Sequence, residues 1–305
     1  MLAFTLKRLG LAVLVAVAVS AFAFLLLRVS GDVAVALAGE GARSEDIENV
    51  RQIYGLDRPL VAQYLDWIIR MAQGDFGQSL YFKSDVLGLI ADKLPTTALL
   101  AVFSLLFALA VSFPLGIVAA VYPNSWIDRL CLTLAVVGQA LPNFFFAMIL
   151  MMVFAVMLPI LPVSGSESWA HFVLPSIALG YYVAPAFMRL IRAGMIEALG
   201  SDYIRTARAN GLSATSIVLK HALRNALVPV VALTAVQLGF LLGGSVVIET
   251  IFALDGVGHL AYQSISNLDL PVVQAIVTLL SFIYVGLTLA ADLINAWLDP
   301  RIGVS

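Results

Sequence analysis

Residues 197–229 read EALGSDYIRTARANGLSATSIVLKHALRNALVP, a polar and basic island in an otherwise oily chain. Around it, Arg189, Arg192, Arg205, Arg208, Lys220 and Arg224 stand against only two acids, Glu197 and Asp202. Asp202 is placed to cap a short helix over residues 203–210. Gly211 follows as a stop, because glycine tolerates the left-handed position just past a helix end. Ser213 is placed to cap a second helix running to about Asn225. Arg205 and Arg208 lie three apart and Lys220 and Arg224 four apart, so each pair shares a helix face. Apolar runs long enough to cross a bilayer flank the island on both sides. The spacing predicts helix, glycine turn, helix on the cytoplasmic side of a membrane protein.

The composition agrees. Of 305 residues, 61% are hydrophobic and 12% charged, where a soluble domain carries about 25% charged residues. With a mean hydropathy of +0.99, the expected fold class is all-α integral membrane with six transmembrane helices, since only helices and closed barrels satisfy the backbone in lipid. Cys131 is the single cysteine and has no internal disulfide partner, so it is expected as a passive buried residue.

The expected spans are 9–29, 96–121, 131–158, 172–190, 230–247 and 271–294. Lys7 and Arg8 place the start of the first span in the cytoplasm by the positive-inside rule, and the inner segments then also hold Arg129, the island bases and Arg301. The apolar run 9–27 exceeds a signal-peptide core and is expected as a retained anchor. Residues 30–94 hold ten acids and six bases, which places them outside. That segment is expected to form three short helices: 44–54, 60–73 and 85–94. The second is amphipathic, with Leu60, Tyr64, Leu65, Ile68 and Ile69 on one stripe. It reads either as a lid that only packs or as a contact for a delivering partner. Pro95 is expected to separate the third of these helices from the second span. Overall, the expected organisation is an N-terminal transmembrane helix at 1–29, an extracytoplasmic helical segment at 30–95, a transmembrane core at 96–298 with the island loop at 194–229, and a cytoplasmic tail at 299–305.

Several chemistries are absent. There is no G-x-x-x-x-G-K-[ST], so the chain has no P-loop of its own. His171, His221 and His259 show no H-E-x-x-H spacing, and no metal site is expected. Ser164 follows two prolines in an outer loop, a poor place for an intramembrane nucleophile. The island has the outline of a DNA-binding helix-turn-helix, but membrane spans tether both its ends, and no nucleic-acid partner is expected. Along the spans the partner is membrane lipid. Gln139, Asn143 and Gln237 lie within spans, where polar groups line a substrate path or hydrogen-bond between helices.

A wider pattern joins these stretches. Arg205-Thr206-Ala207, Gly211 and the run from Lys220 to Pro229 resemble the EAA loop of type I ABC importer permeases. The wording YIRTARANGLS…KHALRNALVP is similar to the dipeptide/oligopeptide/nickel branch. Tyr54-Gly55-Leu56-Asp57-Arg58-Pro59-Leu60, Gly74-Asp75-Phe76-Gly77-Gln78-Ser79 and Leu94-Pro95-Thr96-Thr97 resemble that branch's outer segment. Glu249-Thr250-Ile251-Phe252, Gly256-x-Gly258 and Asp269-x-Pro271 resemble its connection between the last two spans. Two departures are visible. Arg205 and Thr206 stand where the generic motif has Glu and Ala, and Asp255-Gly256 stands in place of Pro-Gly.

The resemblance implies a non-enzymatic peptide permease of the bacterial cytoplasmic membrane with both termini cytoplasmic. It implies a homologous second permease as a heterodimer partner, two ATPase subunits and an extracytoplasmic substrate-binding protein. This chain would bind no cofactor, and ATP and Mg would sit on the ATPases. Nickel complexes, glutathione or other small solutes are alternative cargoes of the same family. The coupling residues it implies are Tyr203, Arg205, Thr206, Ala207, Arg208, Gly211, Leu212, Ser213, Lys220 and Arg224.

Overall fold

The first helix, α1 (Leu2–Ser30), is a long apolar rod, as residues 9–29 predict. Three short helices follow: α2 (Val33–Ala38), α3 (Ser44–Ile53) and α4 (Leu60–Ala72). In this computed structural model residues 2–30, 32–39 and 41–298 are described. The expected tail at 299–305, with Arg301, lies outside them. Helix α2 was not expected; Asp32 caps it by accepting from the Ala34 amide at 2.9 Å. Helices α3 and α4 fall where predicted, with Gly55 and Gly74 at positive φ just past their ends.

The sharpest difference from expectation is at Pro95. Helix α5 (Val86–Val121) runs unbroken through both Pro95 and Pro114. Asp85 starts it as the cap, accepting from the Gly88 amide at 2.7 Å. A proline costs the helix one backbone hydrogen bond, which helices in membrane assemblies tolerate because neighbours re-satisfy the backbone.

The third crossing is built in pieces. Helix α6 (Trp126–Ala140) stops at Leu141-Pro142, and α7 (Asn143–Met151) resumes and widens into a π-turn (Met152–Met157). The break falls in the interrupted stretch predicted at 138–143. Among the described residues, five other helices are long and apolar enough to span: within α1, α5, α8 (Ala170–Gly200), α12 (Val228–Ile251) and α14 (Leu270–Leu298). Between α8 and α12 lie α9 (Asp202–Ala209), α10 (Ala214–Ser216), a π-turn (Ile217–Ala222) and α11 (Leu223–Ala226). Helix α13 (Val257–Ser266) bridges α12 to α14.

Helix α8 is the spine. Its apolar window is 67% buried, against 28% or less for the other four. It lies against α5 so closely that a Cβ at Gly180 would meet the Ser104 carbonyl oxygen at 2.3 Å. Ser112 Oγ donates across the same seam to the Ala184 carbonyl at 2.7 Å. Helix α12 comes close to a neighbour at Gly239, under the Tyr284 ring of α14, whereas Gly243 faces open space. The fourth span therefore does not end near Leu190. It continues to Gly200 and carries Arg189 and Arg192 on its own helix.

Chain alternation puts two sets of helix ends on opposite sides. On the island side, Arg8 of α1 pairs with Asp292 of α14 at 2.9 Å. There too, Arg192 of α8 grips Asp128 of α6 with two hydrogen bonds, at 2.7 and 2.6 Å. On the other side, the start of α5, the end of α12, α13 and the start of α14 come together.

Candidate functional site: a helical knob and the clasp opposite it

The island folds into a compact hairpin. Ser201, rather than Asp202, occupies the cap position of α9, and Asp202 is the first helical residue. Asp202 instead pairs with Arg205 at 3.1 Å, both well exposed. The turn is as predicted. Gly211 has φ +79°, its amide donates to the Arg208 carbonyl at 3.0 Å, and the Leu212 amide donates to the Ala207 carbonyl at 3.2 Å. These two bonds form a Schellman motif, which satisfies the last carbonyls of α9. Ser213 Oγ accepts from the Ser216 amide at 3.3 Å and opens the second arm. That arm ends about where predicted: it passes through the π-turn and α11 to Ala226 and leads almost directly into α12.

Two features hold the hairpin rigid. Ile204, Ile217, Ala222 and Ala226 are buried between its arms and α8. A Cβ at Gly194 would sit 3.1 Å from Ala226, so the second arm rests against the end of α8. The Asn225 side-chain Nδ2 also donates to the Tyr203 hydroxyl at 2.6 Å, pinning one arm to the other.

The predicted coupling residues divide by burial. Ala207 and Leu212 are half-buried and pack on the hairpin's apolar core. Tyr203, Arg205, Thr206, Arg208, Gly211, Ser213, Lys220 and Arg224 are exposed. Among the described residues, Arg208, Lys220 and Arg224 have no ion-pair partner. Arg192 does not belong to this free set, because Asp128 occupies it. Sequence reasoning missed that pair, since the two residues are 64 positions apart.

The predicted path residues are scattered. Gln139 makes a helix-to-helix contact, donating to the Tyr182 carbonyl of α8 at 3.3 Å. Tyr182 stacks on Phe240 of α12, with ring centroids 5.9 Å apart, three residues beyond Gln237. Asn143 begins α7 immediately after the break. Asn143 and Gln237 are both half-buried.

The opposite face carries a clasp that the sequence signalled only as motif stretches. Glu249, at the end of α12, is fully buried. It accepts from the Thr97 hydroxyl at 2.9 Å and from the His259 amide at 3.0 Å, and Thr97 Oγ1 accepts from the Val257 amide at 2.8 Å. A carboxylate is thus held at the N-terminus of α13, where free amides and the helix dipole favour it. The paired glycines are explained by proximity. A Cβ at Gly256 would lie 2.3 Å from Glu249 Oε2, and one at Gly258 would lie 2.7 Å from the Val246 backbone. Asp269, also fully buried, accepts from Ser79 Oγ and from the Leu80 amide at 3.0 Å. The two distant motif stretches around Ser79 and Asp269 therefore meet.

A helical membrane subunit whose most buried span continues into an exposed basic hairpin has the architecture of an ABC importer permease. The comparisons make the class specific. Residues 112–304 match the family described as "Binding-protein-dependent transport system inner membrane component", and residues 1–101 match its N-terminal companion family. The chain belongs to that family.

The glutathione transport system permease protein GsiC of Escherichia coli K12 is 42% identical over 303 residues, 99% of each chain. GsiC of Salmonella typhimurium LT2 is 44% identical over the same span. Among solved structures, an inward-facing form of the MetNI methionine ABC transporter matches with a TM-score of 0.59 and 19% identity, over 70% of this chain and 97% of that one. The chain is an inner-membrane permease subunit, and its relatives are permeases rather than enzymes.

Proposed function

We propose that this permease moves short peptides inward, and that the hairpin of α9 to α11 is where ATP-driven motion enters it. The observation that carries the reading is the hairpin's construction: a rigid, Schellman-closed knob, continuous with α8 and α12, with unpaired bases on its outer surface. An element that transmits displacement must be stiff and joined to what it moves. Two ATPase subunits, which hold ATP and Mg, each receive one such knob in a groove. The other knob comes from a homologous second permease, making a heterodimer. A substrate-binding protein delivers cargo to the opposite face. Both termini are cytoplasmic on this reading, which the Lys7, Arg8 and island charges support.

Within the peptide class, glutathione, itself a tripeptide, is the favoured cargo. What supports it is the name of relatives that match over almost the whole chain. Nickel complexes and other solutes remain the competing cargoes, and an ATPase-independent secondary transporter is the competing mechanism.

The test is ATP-driven uptake by the complete importer, reconstituted with its own ATPases and binding protein. Labelled glutathione, a dipeptide and a nickel complex are compared. Glutathione uptake that stops without ATP is the expected result. Nickel uptake alone, or uptake that persists without ATP, overturns the corresponding part. Arg208→Glu with Arg224→Glu is expected to abolish uptake while the binding protein still binds its ligand.

A further inference from the structure

Helix α4 is packed on one side only. Its inner face rests on α1 through a cluster of rings: Tyr64 against Phe24 with centroids 5.5 Å apart, and Trp67 against Phe24 at 6.0 Å. The next arc of the helix is apolar yet uncovered. Val61, Leu65 and Ile69 follow one another at every fourth residue and are 70%, 52% and 54% exposed. The predicted stripe of Leu60, Tyr64, Leu65, Ile68 and Ile69 is thus split between a packed half and a bare half. Charge is confined to a third arc, where Asp66 pairs with Arg58 and Arg70 is exposed.

The depth of α4 is fixed by its contact with α1. The Tyr64 hydroxyl lies 2.8 Å from Ser20 Oγ. Ser20 is seven residues before Leu27, the last apolar residue before Arg28. At 1.5 Å per residue this puts Tyr64 about 10 Å below the outer end of that apolar run. On α1, Phe22, Leu25 and Leu26 are exposed as well. Tyr and Trp are the residues that gather at membrane interfaces. Just above them, the Arg28 guanidinium stacks over the Phe24 ring at 4.7 Å and makes no ion pair among the described residues. A lipid phosphate is the acceptor its position suits.

We propose that α4 is an interfacial helix lying in the headgroup–acyl boundary of the leaflet opposite the knob, with Val61, Leu65 and Ile69 inserted among the lipid chains. The geometry matches that of helices which lie along a membrane with the apolar face buried about 5–10 Å. In this role α4 holds the outer end of α1 at a set depth and makes the leaflet itself part of the platform above the permease. Lipid, rather than a protein, is the occupant because the arc lies at lipid depth, beside the interfacial pair Tyr64 and Trp67.

The test uses the complete importer in phosphatidylethanolamine–phosphatidylglycerol liposomes, on a Cys131→Ala background. Nitroxide labels are placed by Leu65→Cys and Ile69→Cys, with Phe22→Cys as lipid reference and Asp66→Cys as water reference. Relaxation by oxygen and by a water-soluble nickel chelate is read at each, with uptake measured to confirm assembly. The expected result is that positions 65 and 69 follow position 22: high oxygen, low nickel, at a depth of about 5–10 Å. Two results overturn the proposal. Nickel access equal to that at position 66 means that α4 stands in water. Exclusion of both agents means that a protein, the second permease or the binding protein, covers the arc. If a label at 65 disturbs assembly, Val61→Cys reads the same arc.

Discussion

The clasp and the knob are built from the same kinds of side chain and use them in opposite ways. In the clasp, Glu249 and Asp269 are fully buried; Glu249 accepts hydrogen bonds from two chain segments, at Thr97 and His259, and Asp269 accepts from the distant segment at Ser79 and Leu80. Its polar groups are consumed internally, tying α5, α12, α13 and α14 into one unit. In the knob, the apolar residues are consumed internally and the charges are left over. Arg208, Lys220 and Arg224 project from a hairpin whose glycine turn and second-arm cap are already satisfied. A polar group held inside the fold serves stability, while one held rigidly outside it, with no partner in its own chain, is available to another subunit.

This division sorts the expected effects of mutation. The largest loss of stability is expected at the root of the knob. Asp128→Ala strands the part-buried Arg192 and removes two charge-assisted hydrogen bonds, each contributing about 1.5–3 kcal/mol. A large drop in the thermal midpoint of the detergent-purified chain checks it; an unchanged midpoint would place Arg192 among the free bases after all. Next comes Glu249→Ala, which leaves Thr97 Oγ1 and the His259 amide without their acceptor. Hydrogen bonds to a charged group contribute about 1.5–3 kcal/mol each, so the same midpoint falls clearly, and hydrogen exchange in α13 quickens. If exchange there is unchanged, the carboxylate is not what holds the start of α13. Gly258→Ala is smaller, about 1–3 kcal/mol, because the new methyl group must push the Val246 backbone aside. A midpoint equal to that of the unsubstituted chain would show that the clasp is looser than its distances imply.

The knob was the most legible part of the sequence, because its logic is local. A serine three residues before the amide it caps, and a glycine where a helix must turn left-handed, are written within one turn of the residues they serve. The long apolar helices were legible for a similar reason, since hydropathy is read along the chain. What was not legible depended on partners far away in sequence. Arg192 counted as a free base until Asp128 was found beside it. Glu249 looked like a residue near a span end until Thr97 and α13 closed around it. Pro95 read as a stop because proline weakens an isolated helix, whereas here α5 crosses it within a packed assembly. The stripe on α4 was correctly seen as amphipathic, but which half of it would meet protein depended on where Phe24 of α1 lies.

The role of the knob is tested most directly by Gly211→Asp. A side chain at this position meets nothing within 4 Å in the chain itself, and aspartate is among the residues that tolerate a left-handed turn. The substitution costs this subunit only the left-handed strain, about 1–2 kcal/mol, and disturbs a docked partner much. Thermal midpoint, ATPase co-purification and ATP-driven uptake are measured on the same reconstituted importer. The prediction is a modest drop in midpoint, smaller than that of Asp128→Ala, with ATPase attachment weakened and uptake lost. Intact attachment and intact uptake would contradict it, and would leave the basic hairpin as no more than a marker of membrane orientation.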